Sequence, residues 1–238
     1  MGFSFLQTNN QSVAASAGSV TFASITTTAG SYLICSIQND NALASSLVVS
    51  DNVNGNWVKI VANDNLVGEM FEIWHLSVNI GGSITIKVTG TALSANMQLI
   101  FGEYKGQLTS GPLDSNTALT ENASGTAYGP LTTNVNGDAL IWIGFCGAGQ
   151  SWTANAGFNS RSNNNANGAI LFDSETNAAT AGMYSFTGTS AGNSLVGALV
   201  AVKTTPVSGN GSWMSIALAN SLRGSQRAAR RHRVKGRL

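Results

Sequence analysis

With 238 residues, 43% of them hydrophobic, the chain can bury the core of one large β-domain or of two small ones. Charged residues are only 10%, against ~25% in an average soluble domain. Asn, Ser, Thr, Ala and 27 Gly take their place, a composition suited to strands and tight turns rather than to helices.

The net charge of +1 hides a split. Residues 1–222 hold all eleven acids and five bases, about −6, whereas Arg223, Arg227, Arg230, Arg231, Arg233, Lys235 and Arg237 make the remaining segment +7. The start, MGFSFLQTNN, lacks a basic region followed by a continuous apolar one, so no secretory signal is expected. No run of about 18 apolar residues occurs, so no membrane span is expected. A role outside the cell would then require another route, such as release inside an assembled virus particle.

In chain order, residues 1–19 suggest an N-terminal arm with one short apolar run, Phe3 to Leu6. Val20 to Ile25 and Tyr32 to Ile37 fit strands separated by the turn Thr28-Ala29-Gly30. Leu47 to Val49 leads into the turn-forming cluster Asp51 to Asn56, and Trp57 to Val61 returns from it. Gly68 to Gly106 fits three strands of one antiparallel meander. In its middle strand Ile84, Ile86 and Val88 alternate with Ser83, Thr85, Lys87 and Thr89, the period of a half-buried strand. Leu108 to Gly129 fits a long connection.

The second half echoes the first. VTGTALSANMQLIFGEYK aligns with FTGTSAGNSLVGALVAVK at an offset of 98, which also carries Ile73-Trp74 onto Leu171-Phe172. Gly30 before YLICSI matches Gly137 before DALIWIG at 107, and Asn56-Trp57 matches Ser151-Trp152 at 95. Features that keep their order while loop lengths drift point to a duplicated strand set, over residues 20–106 and 126–204. The expected fold is all-β, an antiparallel β-sandwich of jelly-roll type with two related strand sets over residues 20–205. One sandwich drawing on both halves and two small sandwiches in tandem both satisfy the pattern. The lack of linker composition between residues 108 and 129 favours the single domain. Residues 206–238 then supply a linker, a short amphipathic helix near 212–223 and a basic tail.

Chemistry is sparse. Of two histidines, His75 alternates with Phe71 and Ile73 along a strand and His232 lies in the tail; no G-x-S-x-G elbow accompanies them. Glu69, Glu72, Glu103, Asp173 and Glu175 are the carboxylates a glycosidase could use, Glu72 with Glu103 being the best pair, but scattered acids more often serve as solvated strand residues or partners of Lys59, Lys87 and Lys105. The Asp51 to Asn56 cluster has Val53 at its third position and no closing Glu, so a β-turn is favoured over a calcium loop. Asn159 to Gly168 supplies turn formers without an acid. Cys35 and Cys146 sit within apolar runs, as buried free thiols do. No catalytic residue, metal or cofactor is expected.

Binding has better candidates. Trp57 and Trp152 follow polar turns, where an indole either stacks on a sugar, with Asn54 and Asn56 supplying hydrogen bonds, or folds back to plug the sandwich. Trp74 and Trp142 are expected in the core. Near-helical spacing of Trp213, Ile216 and Leu222, followed by the arginines, fits an anchor on a neighbouring subunit; the same tail could contact nucleic acid or another polyanion, or stay solvated.

The segments SDNVNGNWVKI, FEIWHLSVNIGGSITIKVTG and LIFGEYKG resemble β-sandwich modules of bacterial surface proteins and phage virion proteins. The resemblance spans about residues 20–205. It implies adhesion, decoration or assembly rather than catalysis: a virion component, such as a capsid decoration, spike or fibre, working with other virion subunits as a homo-oligomer, or an adhesin for a cell-surface glycan. The basic tail departs from that module.

Overall fold

The computed structural model describes residues 3–14, 18–40, 45–66, 69–78, 80–91, 93, 96–146, 151–163, 168–174, 178, 180–190 and 195–205. The expected linker, helix and basic tail of residues 206–238 lie outside them.

The described residues build strands joined by turns. The first half supplies β1 (Ser4–Val13), β2 (Ser19–Thr21), β3 (Ile25–Thr27), β4 (Tyr32–Asn39), β5 (Ser45–Asp51), β6 (Gly55–Asn56), β7 (Val58–Leu66), β8 (Glu69–Ser77), β9 (Gly82–Ile84), β10 (Ile86–Thr91) and β11 (Met97–Lys105). The second half supplies β12 (Leu113–Asn116), β13 (Thr120–Asn122), β14 (Ala127–Thr133), β15 (Ala139–Cys146), β16 (Thr153–Ala154), β17 (Phe158–Ser162), β18 (Ala169–Ser174), β19 (Gly182–Thr189) and β20 (Leu195–Val202). The fold is all-β and antiparallel.

Each half makes its own pair of sheets. The first has a large sheet ordered β1-β11-β4-β8-β7 and a smaller one ordered β2-β10-β5-β6, with β3 pairing β9. The second has β12-β20-β15-β18-β17, with β13 also on β20, and β14-β19-β16. The expected single two-sheet sandwich is thus replaced by four layers within one unit, Gly2–Thr205. The two large sheets lie in the middle, each covered on its outer face by its own small sheet. On β4, Leu33, Cys35 and Ile37 face the first small sheet, and Tyr32 and Ile34 face the second half. On β15, Ile141, Ile143 and Phe145 meet that first half, and Leu140 and Trp142 face the second small sheet. Strands buried on both faces carry apolar side chains on both, which is why YLICSI, Ser36 apart, and ALIWIGF show no alternation.

The halves share their register. Cys35 stands opposite Trp74 and Phe101; Trp142 stands opposite Phe172 and Leu199, at offsets of 107 and 98. Bulges recur at matching places: Phe5/Gln7 of β1 and Leu113/Ser115 of β12, Lys59/Val61 of β7 and Ser160/Ser162 of β17. Gly30 and Gly137, ahead of β4 and β15, both hold φ in the left-handed region, 72° and 86°.

Two local expectations are corrected. The meander is absent, because β8 and β11 sit in the large sheet while β10 crosses to the small one. Alternation tells which side chains are buried (Ile84, Ile86 and Val88 all are) but not which strand lies alongside. The N-terminal arm is instead edge strand β1, paired along β11. Beyond Leu6 its sequence is polar up to Val13 and gives no hydrophobic pattern, since an edge strand is held largely by backbone hydrogen bonds. Likewise, the long connection at residues 108–129 contains β12 and β13.

Candidate functional site

The carbohydrate site expected around Trp57 and Trp152 does not take shape as a sugar platform. Asp51 Oδ1 accepts the backbone N–H groups of Val53 (2.8 Å) and Asn54 (2.5 Å), closing the turn. Its Oδ2 accepts the Trp57 indole N–H at 3.0 Å, which folds the ring into the first core, 4% exposed. Trp152 is equally buried at 3%, against Gly188 and beside the Cys146 thiol. Stacking on a sugar needs an open ring face, and both indoles plug sandwich ends instead. Asn54 is held by Ile80, accepting its N–H at 3.0 Å, while Asn56 is exposed in β6. The anchor residues Trp213, Ile216, Leu222, Arg223, Arg227, Arg230, Arg231, Arg233, Lys235 and Arg237 lie outside the described residues.

The carboxylates considered for hydrolysis serve the framework. Glu72, fully buried, accepts from Lys59 and, at 2.7 Å, from the Trp74 indole. Glu103 accepts from Gln7 Nε2 and from the backbone N–H of Thr28. On intervening β4 their partners are Ile37 and Leu33. Two strand spacings and four residues of rise place the pair on the order of 16 Å apart, beyond the ~5–9.5 Å that glycoside hydrolysis needs. Glu69 accepts from Gln38, and burial raises its carboxyl above the usual range. Glu175 lies outside the described residues. Asp173 accepts from Arg161 Nε at 2.9 Å, and the guanidinium lies 4.6 Å over Phe5, tying the halves together. Beside them Phe3 stacks on Tyr104 at 4.9 Å.

His75 faces the same seam, 8% exposed and 5.5 Å from the Tyr32 ring. Burial lowers its pKa, favouring the neutral imidazole. Both cysteines are free, Cys35 in the first core and Cys146 at the end of β15. Burial pushes the Cys146 thiol up to about 11, so it is a poor thiolate. Among the described residues, no group of three or more His, Cys, Asp or Glu side chains converges as a metal site, and no helix is long and apolar enough to cross a membrane.

Sequence reasoning misses one constellation. At one end of the second large sheet, Asp114, Lys203 and Asp138 come from three neighbouring strands. Asp114 is the bulged residue of β12, between Leu113 and Ser115. Lys203 follows β20, its backbone N–H donating to Pro112 O at 2.7 Å and its Nζ lying 3.7 Å from Asp114 Oδ1. Asp138 precedes β15, where Ala139 pairs Val202, so the register sets it across from Lys203. Thr204 Oγ1 donates to Gly137 O at 2.6 Å and closes the end. The Asp114 side chain is 2% exposed, Asp138 is fully buried, and Lys203 is 29% exposed.

The two carboxyls are shifted in opposite directions. Burial opposes ionisation of Asp114, but the Asn134 N–H at 2.6 Å, a hydrogen bond from Asp138 and the Lys203 charge together hold its carboxyl below the usual range. Asp138 has no N–H or O–H donor on either oxygen among the described residues. Burial, then its contact with Asp114, pushes it up to about 7. Two carboxyls in contact can bond only through a shared proton. The visible signal was modest: the repeat aligns Lys203 with Lys105 and sets Asp138 after Gly137, yet the partner Asp114 sits on a bulge that no local pattern marks.

No family model matches the chain, and neither curated proteins nor solved structures show a match.

Proposed function

We propose that the chain is a non-enzymatic building block of a virus particle, a decoration, spike or fibre component that displays two related jelly rolls and is anchored by its basic C-terminal segment. Taking β2 with β3, β6 with β7, and β9 with β10 as single broken strands leaves eight per half. In the first half the large sheet then runs 1-8-3-6-5 and the small one 2-7-4-5. The second half repeats this as 1-8-3-6-5 and 2-7-4, with β13 as an addition. These orders support the jelly-roll reading, an architecture recurrent in capsid and lectin domains.

Fold alone assigns no role; the charge split carries the proposal. A body of about −6 and a segment of +7 in one chain suit copies or partners held electrostatically through that segment. The framework use of Glu72, Glu103, Asp51 and Asp173 agrees with a molecule built to persist rather than to react. The buried state of Trp57 and Trp152 weighs against the glycan-binding alternative.

The test compares the full chain with a version ending at Thr205. The shortened protein should keep its far-ultraviolet circular dichroism and melting temperature but no longer co-sediment with particles. Undiminished incorporation of the shortened chain would overturn the anchoring role.

A further inference from the structure

We infer that Lys203 and Asp114 condense into an intramolecular isopeptide bond, with Asp138 moving the proton between them. The Lys203–Asp114 pair already contains every atom of the product plus one water. Nζ bonds to the Asp114 carboxyl carbon, one carbon–oxygen bond breaks, and that oxygen leaves as water with two protons from the ammonium. Asp138 relays a proton from Nζ to the departing oxygen and emerges unchanged. No oxidant, metal or cofactor enters the balance.

Three observations carry this. The register sets Lys203 beside the Asp114 bulge of the adjacent strand, with Nζ 3.7 Å from Oδ1 of the carboxyl it would attack, so the reaction is intramolecular and its orientation is set by folding. A buried acid with no donor on either oxygen, its carboxyl pushed up to about 7, stands across from the lysine and against the carboxylate, where general acid–base catalysis needs a group that both gives and takes a proton. Finally, the Asp114 carboxylate is nearly sealed from water. Burying charge is costly, and condensation removes both charges of the pair.

The first half supplies an internal control. Its equivalent lysine is Lys105, opposite Ser4 and following Tyr104, which pairs Tyr32. The position matching Asp114 is the bulged Leu6, 39% exposed, and the one matching Asp138 is Ser31. At the matching positions that lysine therefore meets neither an electrophile nor a proton relay. The bond would tie the opening strand of the second half to the residue after its last strand, stapling nearly that whole half.

The purified full-length protein, denatured and weighed intact, should be lighter than its sequence by one water. A tryptic digest should contain one branched peptide joining Asp114 to Lys203, with no cleavage after Lys203. Lys203→Arg and Asp138→Asn should restore the full mass, and Lys105→Arg should leave the loss in place. Full sequence mass for the folded wild-type protein, or a water loss without the branched peptide, overturns the inference whether or not the variants fold.

Discussion

The two halves share a wiring diagram and differ in what fills it. At the centre of the first core Cys35 lies between Trp74 and Phe101, with Leu99 nearby. At the matching place in the second, Trp142 packs against Phe172, Phe186 and Tyr128, with ring centroids 5.0–6.4 Å apart. The larger ring fits because Gly197 stands where the first half has Leu99: a Cβ there would lie 2.5 Å from Trp142 and 2.6 Å from Ile143 O. The corner is reworked similarly, from Leu6, Ser31 and Lys105 to Asp114, Asp138 and Lys203. A register set by backbone pairing tolerates such exchanges provided that volume is conserved and buried charge is matched.

The largest expected effect comes from breaking the volume match. Trp142→Cys, which installs the first half's residue, should cost about 3–5 kcal/mol by leaving a cavity. Gly197→Leu alone should overpack and destabilise by about 1–3 kcal/mol or more. In the double variant the ring clash is gone while Ile143 O still lies 2.6 Å from the added Cβ, so its cost should fall below the sum of the two single costs without vanishing. Urea unfolding of the three variants measures the coupling. A double variant whose cost equals that sum would mean that the halves do not trade volume as their registers imply.

Next comes the corner. Lys203→Arg keeps the charge but cannot condense, so the lost staple should cost about 3–5 kcal/mol; Lys105→Arg should change stability by under about 0.5 kcal/mol. In Lys203→Arg the acid pair persists and gives a pH signature. Asp138 is raised from 3.8 to about 7, so the native state holds a proton that the unfolded chain releases. Stability should be highest below pH 3.8 on this account and fall as pH rises toward 7, the slope that linkage requires. Asp138→Asn in that background should flatten the trend, as followed by melting temperature against pH.

The smallest effect lies at the seam, where His75 occupies the position that in the second half is Asp173, paired with Arg161. With its pKa lowered by burial, His75 takes up a proton less readily folded than unfolded. Its contribution is present above pH 6.5 and is lost as pH falls through the lower folded value. Its surroundings are Ile34, Val58 and the Tyr32 ring, none of which can compensate an imidazolium. His75→Phe should therefore reduce the melting-temperature drop between pH 7 and 5; an unchanged drop would place the acid sensitivity elsewhere.

Much of the strand content was legible because burial leaves a period in the sequence, as at Ile84, Ile86 and Val88. The four-layer stack was less so, although the unbroken apolar runs of β4 and β15 carried a hint of strands covered on both faces. Strand β1 left only the short apolar run from Phe3 to Leu6, because the rest of its pairing is made by backbone groups common to every residue. The tryptophans misled for a related reason: a Trp after a polar turn has the same local sequence whether it turns outward to a ligand or inward to Asp51.

The sequence by itself determined that the chain is β-rich, repeats one strand order and separates a faintly acidic body from a cationic end. Composition, spacing and charge are properties of residues near one another along the chain. Tertiary structure alone decided that the repeats stack back to back, that both tryptophans close the interior, and that Asp114, Asp138 and Lys203 meet. Such encounters depend on which strands pair and where a bulge shifts them, and that choice is made by the free energy of the whole packed stack.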